Sequence, residues 1–180
     1  MKNMTVTLLV FSFMIGTASA EVNRPSSLSI GGRLLTLRGQ GLLKVGYVFK
    51  VYEAAFYLDE SFATKSVFSD APKRLELLYL RDIKASDIIE IGNETLMRQE
   101  TKETLDRLQE RIDRLNRCYV DVKAGDSYTL TYIPGIGSEL ALNSRPLALI
   151  EGADFAAAYF GIWLDARTHY PEFRKELLGL

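Results

Sequence analysis

The most informative hydrophobic pattern of this chain lies between residues 39 and 58, where the sequence is GQGLLKVGYVFKVYEAAFYL. Over residues 47–58, aromatic and β-branched side chains occupy both alternating sets of positions. Such a pattern is typical of a β-strand that is covered on both faces. We therefore expect the rest of the chain to be built around this strand.

Shorter alternating runs predict the other strands of a sheet. They cover residues 27–30, 33–43, 74–81, 127–133, 139–143 and 146–150. In the second of these runs, Gly39 and Gly41 interrupt the pattern. Glycines inside a strand often mark a β-bulge or a place where another backbone or a ligand approaches closely.

Spacings of three and four residues predict helices after the strand at 74–81. Ser86 is a suitable N-cap, and Gly92 and Asn93 interrupt the pattern, so we expect two helices in series. The second covers about residues 94–117. Its apolar stripe consists of Leu105, Leu108, Ile112 and Leu115.

The C-terminal part of the chain is also predicted to be helical. Residues 154–165 have a broad apolar face, and a short helix at 172–178 follows the break at Tyr170-Pro171. The predicted order along the chain is thus a group of strands, a pair of helices, a second group of strands and a second pair of helices. This order predicts an α+β fold, in which helices pack on one face of an antiparallel sheet.

The first twenty residues have the three parts of a secretory signal peptide. Met1-Lys2 is positive, residues 4–15 are mostly apolar but too short to span a bilayer comfortably, and Ala18-Ser19-Ala20 is a small-residue cleavage site. We expect residues 1–20 to be removed and residues 21–180 to form a single domain. The mature protein would be exported across the inner membrane, to the periplasm in a Gram-negative source, and no further transmembrane segment is predicted.

Charge and cysteine content exclude several classes of function. The formal net charge is −1 and no basic block occurs, so nucleic acid or an acidic membrane has no evident electrostatic foothold. Cys118 is the single cysteine, which rules out an internal disulfide. Packing must therefore stabilise the domain.

Most catalytic and cofactor motifs are missing as well. One histidine, His169, and one cysteine cannot form a His/Cys zinc cage, and no H-E-x-x-H or G-x-S-x-G motif occurs. The pair Gly39-x-Gly41 lacks the third glycine and the following helix of a dinucleotide-binding motif. We predict neither a metal nor a cofactor, which leaves a pocket chemistry of Lys, Arg, Tyr and Thr.

Three motifs carry a family resemblance. The first is Gly-x-Gly followed by Lys44 and then by FKVYEAAFYL. The second is LLYLRDI at residues 77–83. The third covers residues 125–164 and contains GDSYTLTYIPGIG and LALNSRPLALIEGADFAAAYFGIWL. In these motifs and their order, the chain resembles the chalcone isomerase-like proteins, in particular their bacterial secreted branch. The resemblance implies an open-faced β-sandwich, and the family includes both isomerases and non-catalytic fatty-acid binders.

The resemblance also implies candidate ligand-binding residues. Fatty-acid binders of the family hold the carboxylate with a basic residue after the Gly-x-Gly and a tyrosine thirteen residues later. The matching residues are Lys44, where the family usually has arginine, and Tyr57. An ammonium group and a phenol can together hold an anionic oxygen at a pocket mouth.

The residues that the family's isomerases use are not matched. In those enzymes an arginine and a threonine, with a tyrosine, assist a phenolate that attacks an enone. The threonine position falls near Tyr52 here, and neither the arginine nor the threonine has a counterpart. Without donors placed where charge develops, we do not predict chalcone isomerase activity.

The binding hypothesis sets a geometric condition. If a tight turn at Gly46 joined the two strands as a simple hairpin, Tyr57 would pair near Thr36, far from Lys44. The two side chains could then not share one ligand. A bulge or a long crossover between Gly39 and Gly46 is required to bring them together.

Three hypotheses follow. The first is an exported domain that binds a small amphipathic ligand, such as a fatty acid, through Lys44, Tyr57 and Tyr52. The second is an isomerase acting on an unidentified substrate with the same residues. The third is a structural or partner-binding protein whose pocket is filled with side chains. The identity of the ligand and the oligomeric state are left open.

Overall fold

The structure is a computed structural model that describes residues 24–46, 48–62 and 66–180, so the predicted signal peptide and Tyr47 lie outside the described residues. In this described part of the chain, seven strands form one antiparallel sheet, in which each strand pairs with the next one along the chain. The strands are β1 (Ser27–Ile30), β2 (Arg33–Val45), β3 (Phe49–Asp59), β4 (Lys73–Tyr79), β5 (Ser127–Ile133), β6 (Gly137–Leu142) and β7 (Arg145–Ile150).

Helices cover one face of this sheet. They are α1 (Ala85–Gln99), α2 (Lys102–Asn116), α3 (Ala153–Leu164) and α4 (Pro171–Leu178). One hydrophobic core contains buried residues from β2 to β7 and from all four helices. The predicted antiparallel sheet with helices packed on one face is therefore confirmed.

Strand β3 is buried on both faces, as its sequence pattern predicts. Phe56 and Leu58 point into the main core under the helices. Ala55 and Tyr57 point to the opposite face, where they form a small second cluster with Leu35. The alternation of a strand thus places one set of side chains in each cluster.

The predicted break between the first two helices is wrong. Helix α1 continues through Gly92 and Asn93, and the chain leaves the helix at Glu100 instead. A single glycine costs a helix only about 1 kcal/mol, which tertiary packing outweighs. Thr101 begins α2 because its side chain accepts a hydrogen bond from the backbone N–H of Thr104 at 3.2 Å.

The predicted N-cap of α1 is also wrong. Lys84, rather than Ser86, occupies the cap position. The Asp121 carboxylate accepts a hydrogen bond from the backbone N–H of Ala85 at 2.9 Å. A residue distant in sequence satisfies this helix end, which no local pattern could reveal.

A bidentate ion pair fixes the start of α3 against α2. The Arg111 guanidinium donates to both carboxylate oxygens of Asp154, at 2.8 Å each, and to the Glu151 carbonyl oxygen at 3.1 Å. The hydrogen bonds from Arg111 lower the pKa of Asp154 to about 2. Helix α3 is therefore held in a fixed position above the sheet.

Helix α4 lies unusually close to β2, and two glycines allow this. A Cβ atom on Gly39 would lie 2.0 Å from the Glu176 carbonyl oxygen, and one on Gly41 would lie 3.1 Å from the Phe173 ring. The β2–β3 register also shifts between Leu37 and Gly39. The predicted bulge and the predicted close backbone approach both occur here.

We predict that Gly39→Ala lowers the free energy of unfolding by about 1–3 kcal/mol, the usual range for overpacking. The added methyl group has to displace backbone atoms of α4, and this outweighs the smaller entropic gain of replacing glycine. Urea unfolding measures the difference. Gln40→Ala, at an exposed neighbouring position, is the control, and a Gly39→Ala protein as stable as this control would contradict the close approach.

Candidate functional site

A cavity of about 690 Å³ lies between the sheet and the helices. Its walls come from β2, β3 and β4 on one side and from α1, α3 and the start of α4 on the other. Ligand-binding pockets typically have volumes of about 300–1,000 Å³. This cavity is large enough for a small organic ligand and contrasts with the filled interior that the third hypothesis requires.

Most of the lining is apolar. Its aliphatic side chains come from both layers and are Leu43, Val45, Val51, Leu77, Ile83, Ile88, Ile91 and Ile162. Its aromatic side chains are Phe49, Tyr52, Tyr79, Tyr119, Tyr159, Trp163, Tyr170 and Phe173. Such walls favour an apolar ligand because its burial removes hydrocarbon surface from water.

Hydrogen bonds brace the aromatic wall and leave some donors free. The Trp163 indole N–H donates to the Tyr52 hydroxyl at 3.0 Å. Tyr119 and Tyr159 share a hydrogen bond of 2.9 Å between their hydroxyl oxygens. Among the described residues, the Tyr52 O–H finds no acceptor and the Tyr79 hydroxyl has no partner at all. Both phenols can therefore donate to an oxygen atom inside the cavity.

These phenols are neutral at physiological pH. Burial raises the pKa of Tyr52, Tyr79, Tyr119 and Tyr159 well above the ordinary value, because the apolar surroundings disfavour the phenolate. In Tyr52 the hydrogen bond from Trp163 opposes this effect only in part. The cavity thus offers hydrogen-bond donors rather than a negatively charged base.

Charged groups are confined to the rim of the cavity. Arg81 is exposed, and its guanidinium carbon lies 5.5 Å from the centre of the Phe49 ring. Within the described part of the chain, Arg81 forms no ion pair. Asp82, by contrast, accepts a hydrogen bond from the backbone N–H of Ala124 at 3.0 Å. Arg81 therefore remains available to an anion at the cavity mouth.

Gly92 lines the cavity from the middle of α1. The nearest atom to a Cβ added there is a methyl carbon of Ile162, at 4.0 Å. Glycine is an unfavourable residue inside a helix, and no close contact requires it here. The missing side chain leaves part of the cavity empty.

The structure brings only one of the three sequence-predicted residues to this cavity. Tyr52 is part of the wall, whereas Lys44 and Tyr57 do not line it. Tyr57 is buried on the opposite face of the sheet, where its hydroxyl donates to the Pro25 carbonyl oxygen at 3.2 Å. Lys44 is exposed near the end of β2.

The hairpin register explains the separation of Lys44 and Tyr57. Lys44 pairs with Lys50, while Tyr57 pairs with Leu37. Tyr57 follows Lys50 by seven positions along β3, a distance of roughly 23 Å along a strand. Two register shifts do occur, but neither brings the two side chains together. The structure therefore does not bring Lys44 and Tyr57 together around one ligand.

Most residues of the site were not predicted from the sequence. From the sequence, Arg81 is a further candidate, but a structural pair with Asp82 or another acid is the favoured role for it. Tyr159 and Trp163 belong, in the sequence, to the broad apolar face of the helix predicted at 154–165. A signal for these residues was present, because Tyr79 and Arg81 alternate at the end of one predicted strand. Only the packing of α1 and α3 above that strand end shows that these residues surround an open space.

Residues 24–46, 48–62 and 66–180 lack the features of two further classes of site. No group of three or more His, Cys, Asp or Glu side chains there could hold a metal ion. None of the helices in this part of the chain combines the length and the apolar character needed to cross a membrane.

A family model described as chalcone isomerase-like matches residues 16–179. The chain belongs to the chalcone isomerase-like family. No curated protein sequence matches it. Among solved structures, this family member is similar to the crystal structure of a fatty-acid binding protein from Arabidopsis thaliana, with a TM-score of 0.64 and 14% sequence identity over 86% of this chain and 90% of that one. At this identity the likeness shows a common fold.

For this chalcone isomerase-like protein, we predict that the cavity phenols ionise only as the fold is lost. Their raised pKa values make the folded state retain protons that the unfolded chain releases near pH 10.0. This contribution to stability is complete below pH 10.0 and falls as the pH rises above it. Tyrosinate absorbance and near-ultraviolet circular dichroism, recorded together, should change in parallel. Ionisation of all nine tyrosines near pH 10 in a folded protein would contradict the burial of the phenols.

Proposed function

We propose that this protein is an exported domain that binds a small amphipathic ligand of the fatty-acid class in the cavity between its sheet and helices. The observation that carries the proposal is the open cavity of about 690 Å³, which has apolar walls and a guanidinium without an ion pair at its rim. Such a site fits a molecule with a hydrocarbon body and one anionic end.

The charges decide the direction in which such a ligand lies. An unpaired carboxylate buried among apolar side chains would lose its hydration, which is very unfavourable. At the rim, Arg81 can pair with the carboxylate while water still reaches both groups. The hydrocarbon chain then extends inward between Ile88, Ile162 and Leu77. Waters or a ligand oxygen satisfy the free phenol donors of Tyr52 and Tyr79.

Two further observations support binding. Gly92 weakens α1 locally and leaves cavity volume unfilled, and residues that lower stability without a packing role are often found at functional sites. In addition, the similar structure from Arabidopsis thaliana is that of a fatty-acid binding protein. The observation on Gly92 concerns this chain itself, whereas the similarity to the Arabidopsis thaliana protein concerns only the fold.

We predict that the protein binds cis-parinaric acid, a fluorescent fatty acid, and that Gly92→Phe abolishes the binding. The phenyl ring would occupy the cavity, and removing glycine from a helix interior should preserve or raise stability. Fluorescence titration measures the affinity. Gly92→Ala is the matched control, since it changes the helix in the same way but fills little space. Unchanged binding by a folded Gly92→Phe protein would overturn the proposed site.

The same titration locates the carboxylate. Arg81→Gln should weaken the binding of parinaric acid by about tenfold or more, because hydrogen bonds to charged groups contribute about 1.5–3 kcal/mol. Arg117→Gln, which removes an exposed arginine away from the cavity, should leave the affinity unchanged. The methyl ester of the acid should bind both variants equally. If Arg81→Gln binds the free acid as well as the natural protein does, the carboxylate lies elsewhere.

The export of the protein is supported by its N-terminal sequence. We predict that protein recovered from its own host begins at Glu21, and that Ala18→Glu prevents cleavage because the peptidase requires small residues there. Intact mass and N-terminal sequencing check both outcomes. A mature protein that retains Met1, or one recovered only from the cytoplasm, would contradict export.

A further inference from the structure

The tip of the β2–β3 hairpin exposes apolar side chains beside the cavity mouth. The relative exposures are 46% for Val45, 75% for Val48 and 56% for Phe49. We call these three residues the apolar tip. Val45 and Phe49 also line the cavity, so the tip and the cavity form one continuous apolar surface.

Two lysines lie directly opposite each other behind the apolar tip. Lys44 and Lys50 are register partners in the hairpin, and neither forms an ion pair with any described residue. Like charges at directly opposed positions destabilise a strand pair. The chain nevertheless has two cations at this one place.

A register shift at Val51 determines which side chains of the hairpin face the cavity. Leu43 pairs with Tyr52 and Lys44 with Lys50, so Val51 has no partner on β2. An extra residue of this kind reverses which side chains face a given side of the sheet. As a result Phe49, Val51 and Tyr52 all line the cavity, whereas Lys44 and Lys50 do not.

In water, exposed apolar side chains and opposed lysines are both unfavourable, but a lipid surface favours both. Valine and phenylalanine enter the boundary between headgroups and acyl chains, and lysine stems extend so that their ammonium groups reach the phosphates. We propose that the apolar tip, with Lys44 and Lys50, docks on an anionic phospholipid surface. The ligand then passes between the lipid and the cavity mouth, and this second step rests on the proposed function.

The small size of the tip favours lipid over a protein partner. A specific protein interface usually buries about 800 Å² on each partner, which three side chains do not provide. The formal charge of the whole chain, −1, does not attract it to anionic lipid either. Attraction therefore comes from the few cations near the tip, which are Lys44, Lys50 and the Arg81 guanidinium beside Phe49. Docking should accordingly be weak, oriented and strongly reduced by salt.

Flotation with lipid vesicles tests the inference on the mature protein. We expect the protein to float with vesicles of phosphatidylcholine and phosphatidylglycerol at about three to one, and not with phosphatidylcholine alone. Val48→Asp should reduce the bound fraction by about tenfold or more, through lost apolar contact and added repulsion. Ile136→Asp is the matched control, because Ile136 is 58% exposed in a different turn. It should float like the natural protein.

The lysines are tested by a charge-matched pair of double variants. Each lysine near an anionic surface contributes about a fivefold gain in affinity, so Lys44→Gln with Lys50→Gln should weaken binding by about 25-fold. Lys123→Gln with Arg117→Gln removes the same charge from exposed positions elsewhere and should bind normally. Circular dichroism confirms that each variant is folded.

Several outcomes would overturn the docking surface. They are no flotation with the anionic vesicles, flotation of Val48→Asp equal to that of the natural protein, or an equal loss in the control variants. A dimer in solution that Val48→Asp dissociates would assign the tip to a second copy of the chain instead.

Flotation of Gly92→Phe separates the two proposals: this variant should dock on vesicles although it no longer binds parinaric acid. Failure of fatty-acid binding alone would leave the docking surface intact.

Discussion

The close approach of α4 to β2 is the contact on which the site depends. Gly39 lies against backbone atoms of the helix and Gly41 against the side chains of Glu176 and Phe173, so an added Cβ at either glycine would displace these atoms. Helix α4 in turn positions Phe173, whose ring lies 5.9 Å from that of Tyr52. The Arg174 side chain donates to the Leu164 carbonyl oxygen at 2.7 Å, which joins α4 to the end of α3. One end of the helical layer is thus fixed tightly on the sheet.

Away from this contact, aromatic residues rather than small ones lie between the two layers. Tyr52 and Tyr79 on the sheet and Tyr159 and Trp163 on α3 line the cavity. The wall is held by hydrogen bonds from Trp163 to Tyr52 and between Tyr159 and Tyr119. Gly92 on α1 contributes no side chain to fill the space between the two layers. The result is an open volume inside an otherwise well-packed core.

Apolar groups line the interior of the cavity, and charged groups lie at its mouth. Buried phenols remain neutral because an apolar environment disfavours their ionisation, whereas Arg81 at the rim keeps its charge in contact with water. The hairpin tip continues the apolar surface outward, with Lys44 and Lys50 behind it. One strand pair therefore connects the interior of the protein with the surface proposed to meet lipid.

The sequence by itself determined the order of the strands and helices, the burial of β3 on both faces and the family, because alternation, helical periodicity and motif order are local properties of the chain. It also indicated the special roles of Gly39 and Gly41. It misplaced the break between α1 and α2, since the strength of a cap and the packing around Gly92 depend on distant residues. The partnership of Lys44 with Lys50 rather than Tyr57, and the meeting of Arg81 with Tyr52 and Trp163 around one cavity, were decided only by the tertiary structure. Strand register and the spacing between layers result from contacts among residues far apart in the chain, and no short stretch of sequence contains them.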